Sequence, residues 1–241
     1  GARVGSKLGS GVKHQLAKGI VLGRTDYGEA DRIITVLTPE QGKLSLMARG
    51  VRKPKSRLAG GIELFSTTEI SYLNGRGQIG TLISARLIKY YSSIVKDIDR
   101  VQLGYELIKM LHRATEDQPE SSYYDLLEQA YAALDSSSIS TDLIRCWFGA
   151  QLLRLSGHAP NLKTDTVGNK LEADKNYNFD FDEMAFMDHK AGQFGSDQIK
   201  FLRLLFSGNR PVVLAKVEGY QDLTKACQSL VQTMLQAHIR I

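Results

Sequence analysis

Between Lys18 and Leu87 apolar and polar residues alternate with a period of two, whereas beyond about Tyr91 the apolar residues recur every three or four positions. A strand turns alternate side chains to one face and a helix every third or fourth, so this switch divides the chain into a β-rich and a helical part. Lys18–Thr25 predicts a first strand and Asp26-Tyr27-Gly28-Glu29-Ala30 the turn after it. Arg32–Thr38 predicts a second strand closed by Pro39-Glu40-Gln41-Gly42, and Lys43–Arg49 a third. Phe65–Leu73 and Gln78–Leu87 follow, joined by Asn74-Gly75-Arg76-Gly77, a sequence suited to a hairpin. Five short strands with turn signals every eight to twelve residues suggest a small closed barrel of the OB type. Helical spacing then runs through Ile98–Leu111, Tyr123–Leu134 and Leu143–Leu155. A polar connector from Gly157 to Gly195 precedes helices at Gln198–Phe206 and within Gly219–Ile239. The expected fold class is α+β: an OB-type barrel over 13–90, then a helical domain over 91–241 interrupted by an irregular insert at 157–195. Residues 1–12 have the composition of an expression leader and are set aside.

Charge is distributed as unevenly as periodicity. Residues 1–90 hold 15 Lys and Arg against 6 Asp and Glu, and the remainder 16 against 20. Arg3, Lys7 and Lys13 belong to the leader or its edge, which leaves an excess nearer six. From Gln41 to Ile62 there are six cations and no acid. Five of them, Arg49, Arg52, Lys53, Lys55 and Arg57, fall in nine residues with Gly50 and Pro54 between them. A one-sided run containing turn residues describes a loop facing a polyanion, and nucleic acid is the leading candidate. Lys43, Arg24, Arg32 and Arg76 come from neighbouring strands and turns and extend the candidate surface. The alternative is a cluster that serves solubility alone. Tyr27, Phe65 and Tyr72 are the only aromatics counted for the barrel, so binding would rest on phosphates more than on stacked bases. With about five phosphates neutralised, log K should fall against log salt with a slope of about −3 to −5.

Catalytic patterns are absent from the sequence. Gly75-Arg76-Gly77-Gln78-Ile79-Gly80 fits G-x-G-x-x-G, but a dinucleotide site needs a helix opening at the glycines, and Thr81-Leu82-Ile83 favours a strand. No Walker A, H-E-x-x-H or G-x-S-x-G sequence occurs, and the five histidines stand singly. Asp180, Asp182 and Glu183 fit a solvated loop. Cys146 and Cys227 fit buried, unpaired positions in a reducing cytoplasm. No apolar run reaches the 18 or so residues of a membrane-spanning helix. A non-enzymatic, cytoplasmic protein is expected.

Several groups of residues resemble a known family. Gly19-Ile20-Val21-Leu22, Tyr27–Ile33 and Thr38–Lys43 are similar to the start of the bacterial recombination mediator RecO. Ala48–Leu58 resembles that family's most distinctive segment, and Leu155-Ser156-Gly157-His158-Ala159-Pro160-Asn161-Leu162 also fits. The resemblance implies an OB-fold, a helical domain and, in many relatives, a four-cysteine zinc module. It further implies DNA repair and recombination: binding of single- and double-stranded DNA and annealing of complementary strands. RecA loading on strands coated with single-strand-binding protein (SSB), together with RecR, is implied too. Docking of the acidic, apolar SSB tail is expected on the helical domain, with Lys109, Arg113, Arg145 and Arg154 as candidate cations. Two other readings stay open: an adaptor whose DNA contact is incidental, and an RNA-binding OB protein.

The sequence departs from the family at the zinc module. Thr164-Asp165-Thr166-Val167-Gly168 and Phe186-Met187-Asp188-His189-Lys190 occupy the places of the two cysteine pairs. Tetrahedral zinc needs four good ligands, so no metal or other cofactor is expected. Leu162, Leu171, Tyr177, Phe179, Phe181 and Phe186 should hold the insert by packing. His158 replaces a common aromatic.

Overall fold

The computed structural model describes residues 14–115 and 121–241, and the leader assigned to 1–12 lies outside them. The described chain separates into two compact units between Tyr90 and Tyr91.

The first unit is a closed barrel with strand order β1-β2-β3-β5-β4, formed by β1 (Gln15–Tyr27), β2 (Asp31–Thr38), β3 (Gly42–Ala48), β4 (Ser66–Leu73) and β5 (Ile79–Tyr90). β1 is longer than its alternation suggested because it serves two neighbours. Its first half pairs with β4 from Gln15 to Ile20, and its second half pairs with β2 from Ile20 to Tyr27. A register shift between Val21 and Gly23 gives the bend that this change of partner needs. A short parallel pairing of Ser45–Met47 with Ile79–Thr81 closes the barrel. The interior is filled from every strand, with Val21, Ile34, Val36, Leu46, Ile70, Tyr72 and Leu82 buried together. Val51 and Ile62 join that core from the connection between β3 and β4.

The second unit contains α1 (Ile98–Ala114), α2 (Ser121–Leu134), α3 (Thr141–Leu155), α4 (Ser196–Leu205), α5 (Pro211–Leu214) and α6 (Tyr220–His238). α3 is apolar nearly all round and forms the centre, burying Leu143, Ile144, Trp147, Phe148, Leu152 and Leu153. Gly149 lets α6 approach: a Cβ there would meet Leu235 at 2.8 Å and Val231 at 3.1 Å. Buried Arg100 closes the end of α2, donating to Leu134 O at 2.9 Å and Ile139 O at 2.7 Å. The first is a helix-end carbonyl that no intrahelical partner can satisfy, and the second belongs to the α2–α3 connection. Cys146 and Cys227 are buried and unpaired.

The insert has neither helix nor strand over most of its length, in keeping with its composition, but it is not irregular throughout. It carries an antiparallel hairpin, β6 (Tyr177–Asp180) with β7 (Ala185–Asp188). Phe186 is fully buried and meets Tyr177, Phe179 and Phe194 edge-on at 6.1, 5.1 and 5.5 Å between ring centres. Phe194 was missing from the expected packing set, and Phe181, which was in it, is 39% exposed. Of the two segments expected in place of cysteine pairs, the first is a turn in which Asp165 Oδ1 accepts from the amides of Val167 (3.0 Å) and Asn169 (2.9 Å). In the second, His189 Nδ1 accepts from the Ala191 amide at 3.1 Å. Among the described residues no group of three or more His, Cys, Asp or Glu is arranged to hold a metal ion. His158 stacks on His238, with ring centres 4.6 Å apart.

Candidate nucleic-acid interface

The basic loop is built rather than slack. Gly50 follows β3 with φ at 66°, a left-handed conformation that glycine adopts without a Cβ clash. Its amide donates to Asp31 Oδ1 at 2.6 Å. Two turns follow, closed by Lys53 N to Gly50 O at 3.1 Å and Ser56 N to Lys53 O at 3.0 Å. Val51 and Ile62 point into the barrel core while Arg49, Arg52, Lys53, Lys55 and Arg57 are exposed. The loop thus has the economy of a strand, apolar residues inward and charge outward, without being one. Past Ile62's neighbour Gly61 it crosses β5 so closely that a Cβ on Gly61 would meet Ala85 O at 2.5 Å.

Arg52 binds the turn between β1 and β2. Its amide donates to Ala30 O at 2.9 Å and its Nη1 to Gly28 O at 2.9 Å. Its Nε lies 3.8 Å from Asp26 Oδ2, while Arg32 Nε donates to Asp26 Oδ1 at 2.8 Å. The Arg32 hydrogen bond, helped by the charges of Arg52, Arg32 and Arg24, holds the exposed Asp26 carboxyl below its usual range. Arg24 Nη1 is 3.6 Å from Glu63 Oε2. Three of the nine candidate cations therefore already face carboxylates. Arg49, Lys53, Lys55 and Arg57 have no carboxylate in ion-pair range among the described residues.

The remaining two stand apart from this cluster. Lys43 lies five residues before Ala48 on β3, roughly 17 Å along a strand rising about 3.4 Å per residue. Arg76 lies in the β4–β5 connection, from which β5 enters beside Ser45. Phe65 and Tyr72 are buried and cannot stack on bases. Tyr27 is 56% exposed, and Tyr90, which the sequence count of barrel aromatics omitted, is 39% exposed.

The four helical-domain candidates do not converge. Arg145 pairs with Glu106 at 3.1 Å and Asp142 at 3.2 Å. Arg154 donates from Nε (3.1 Å) and Nη2 (2.9 Å) to Gln151 Oε1. Nine residues separate them on α3, which at 3.6 residues per turn puts them on opposite faces. Arg113 Nη1 donates to Arg240 O at 2.8 Å, and Lys109, one turn earlier on α1, is exposed. Arg154 borders a cleft of about 210 Å³ with Leu126, Gln129 and Leu155.

Residues 14–91 match the family model described as "Recombination protein O N terminal". Over the barrel the chain is similar to the N-terminal domain of RecO. Similarity to curated RecO proteins extends beyond it. The "DNA repair protein RecO" of Exiguobacterium sibiricum is 36% identical over 158 residues, covering 65% of this chain and 63% of that protein. The Rubrobacter xylanophilus protein of the same description is 32% identical over 146 residues, or 61% and 58% of the two chains. That of Halalkalibacterium halodurans is 29% identical over 198 residues, or 79% and 76%. The match thus spans about three fifths of the first two relatives' length. Among the described residues no helix is long and apolar enough to cross a membrane.

Proposed function

We propose that this chain is a non-catalytic DNA-binding recombination mediator that acts in DNA repair in the cytoplasm, at the nucleoid. It binds single- and double-stranded DNA, anneals complementary strands, and with RecR helps RecA load on SSB-coated strands. One observation carries this reading: a barrel similar to the N-terminal domain of RecO displays an ordered loop whose Arg49, Lys53, Lys55 and Arg57 face no carboxylate of their own. Such cations gain by releasing counterions from a phosphate backbone, and neutralising two backbones lets strands pair while their bases stay accessible. Annealing of this kind needs neither nucleotide hydrolysis nor a bound metal.

The test is annealing of complementary oligonucleotides coated with SSB, without nucleotide, alongside anisotropy of labelled DNA. Replacing Arg49, Lys53, Lys55 and Arg57 together with Glu should weaken DNA binding by several kcal/mol, since charge-assisted contacts contribute about 1.5–3 kcal/mol each. Loss of annealing and binding together supports the reading. Retention of both would move function to the helical domain. Matched RNA oligonucleotides in the same assay test the RNA alternative.

A further inference from the structure

We propose that Asp31 and Arg52 are positioning residues, which lock the basic loop onto the β1–β2 turn, and that Arg49, Lys53, Lys55 and Arg57 alone meet phosphate. The inference rests on the DNA-binding reading above and divides its cations by role.

The geometry makes the division. All the polar groups that fasten the start of the loop lead to one turn. Gly50 N–H goes to Asp31, Arg52 N–H to Ala30 O, and the Arg52 guanidinium to Gly28 O and towards Asp26. Asp26 is held in turn by Arg32. An arginine that donates to a backbone carbonyl and sits beside a carboxylate would have to leave both to bind a phosphate. The other four loop cations have no such partners to leave. Gly50 and Arg52 bracket Val51, which is buried in the core, so the loop enters its turns from a fixed point. Held there, the four cations are presented together and less ordering is needed when DNA arrives.

Salt dependence distinguishes contact from positioning. Each phosphate neutralised on a single strand contributes about 0.7 to the slope of log K against log salt, so four contacts give about −3 and nine about −6. The full chain should show a slope near −3 with single-stranded DNA. Lys53→Gln should lower its magnitude by about 0.7, whereas Arg52→Gln, which keeps a donor for Gly28 O, should leave it unchanged. Asp31→Ala provides the sharper test. Removing an acid beside a basic loop should strengthen anion binding by Coulomb's law alone, yet loss of the anchor should weaken it. We expect a fall of at least threefold, with faster tryptic cleavage after Arg52, Lys55 and Arg57 in the absence of DNA. Asp31→Asn keeps an acceptor for Gly50 N–H and should restore both. The proposal is overturned if Asp31→Ala binds as well as or better than the parent, or if Arg52→Gln lowers the slope as Lys53→Gln does. It is also overturned if tryptic cleavage of Asp31→Ala matches the parent. Because cleavage is followed without DNA, it tests the anchor even where the parent fails to bind, an outcome that would count against the DNA-binding reading instead.

Discussion

At Asp26 the local electrostatics have a pH signature with a definite sign. The Arg32 hydrogen bond and the neighbouring guanidinium charges lower its folded-state pKa, so this pairing favours the folded state above the unfolded carboxyl's value of about 3.9. The contribution is lost only as pH falls through the depressed folded value. The Arg32 Nε–H signal followed by NMR should therefore persist at mildly acid pH and disappear only below the ordinary carboxylate range. Disappearance between neutrality and pH 5 would mean that Asp26 is not its partner. The thiols behave oppositely. Burial pushes the Cys227 thiol up to about 12 and raises that of Cys146 as well, so both stay protonated at mildly alkaline pH. A thiol reagent should find no reactive cysteine in the native protein and two after unfolding in guanidinium. Sequence placed these cysteines well, because a small apolar residue on an otherwise apolar helical stripe has few other uses. It could not show which arginines of the basic loop were already engaged, since Asp26, Asp31 and Arg52 meet only through the pairing of β1, β2 and β3.

Among the elements, those with strong period were legible and those held by a few contacts were not. The five barrel strands follow from alternation and turn residues, with the ends of β1 and β5 extended by pairing that no local signal encodes. The β6–β7 hairpin was not legible because each strand has four residues, too short a run for the alternation in Tyr177-Asn178-Phe179-Asp180 to stand out within a polar connector. The insert's stability should consequently depend on that aromatic cluster. Phe186→Ala should cost about 3–5 kcal/mol of local stability, read by hydrogen exchange across 177–194, while a chelator should change nothing. Exchange left intact by the substitution would argue against the cluster as the insert's core. In the barrel the corresponding weak point is the crossing of β5 by the basic loop. Gly61→Ala would drive a Cβ into the Ala85 carbonyl, a backbone group unable to rotate away, and overpacking of this kind costs about 1–3 kcal/mol. A lowered melting temperature together with faster tryptic cutting of the loop is the expected result.

Across the whole chain, net charge and local charge make different predictions, and DNA binding can be used to separate them. The chain carries a formal charge of +5, but the excess belongs to residues 1–90, and the rest holds more acids than bases. If association depended on overall charge, any four lysines or arginines would serve equally. If it depends on the ordered loop, position decides, because exposed charges farther away than the Debye length of about 8 Å at 0.15 M salt are largely screened. Lys109, Lys200, Lys216 and Lys225 are exposed cations of the helical unit and provide the control. Changing all four to Glu alters net charge by as much as reversing Arg49, Lys53, Lys55 and Arg57 does. The helical-unit variant should bind single-stranded DNA within about threefold of the parent at that salt concentration, with an unchanged slope, whereas the loop variant should lose nearly all its salt-dependent binding. Equal losses in the two variants would make the interaction one of global charge. The barrel's ordered loop would then be only the place where that charge happens to be densest.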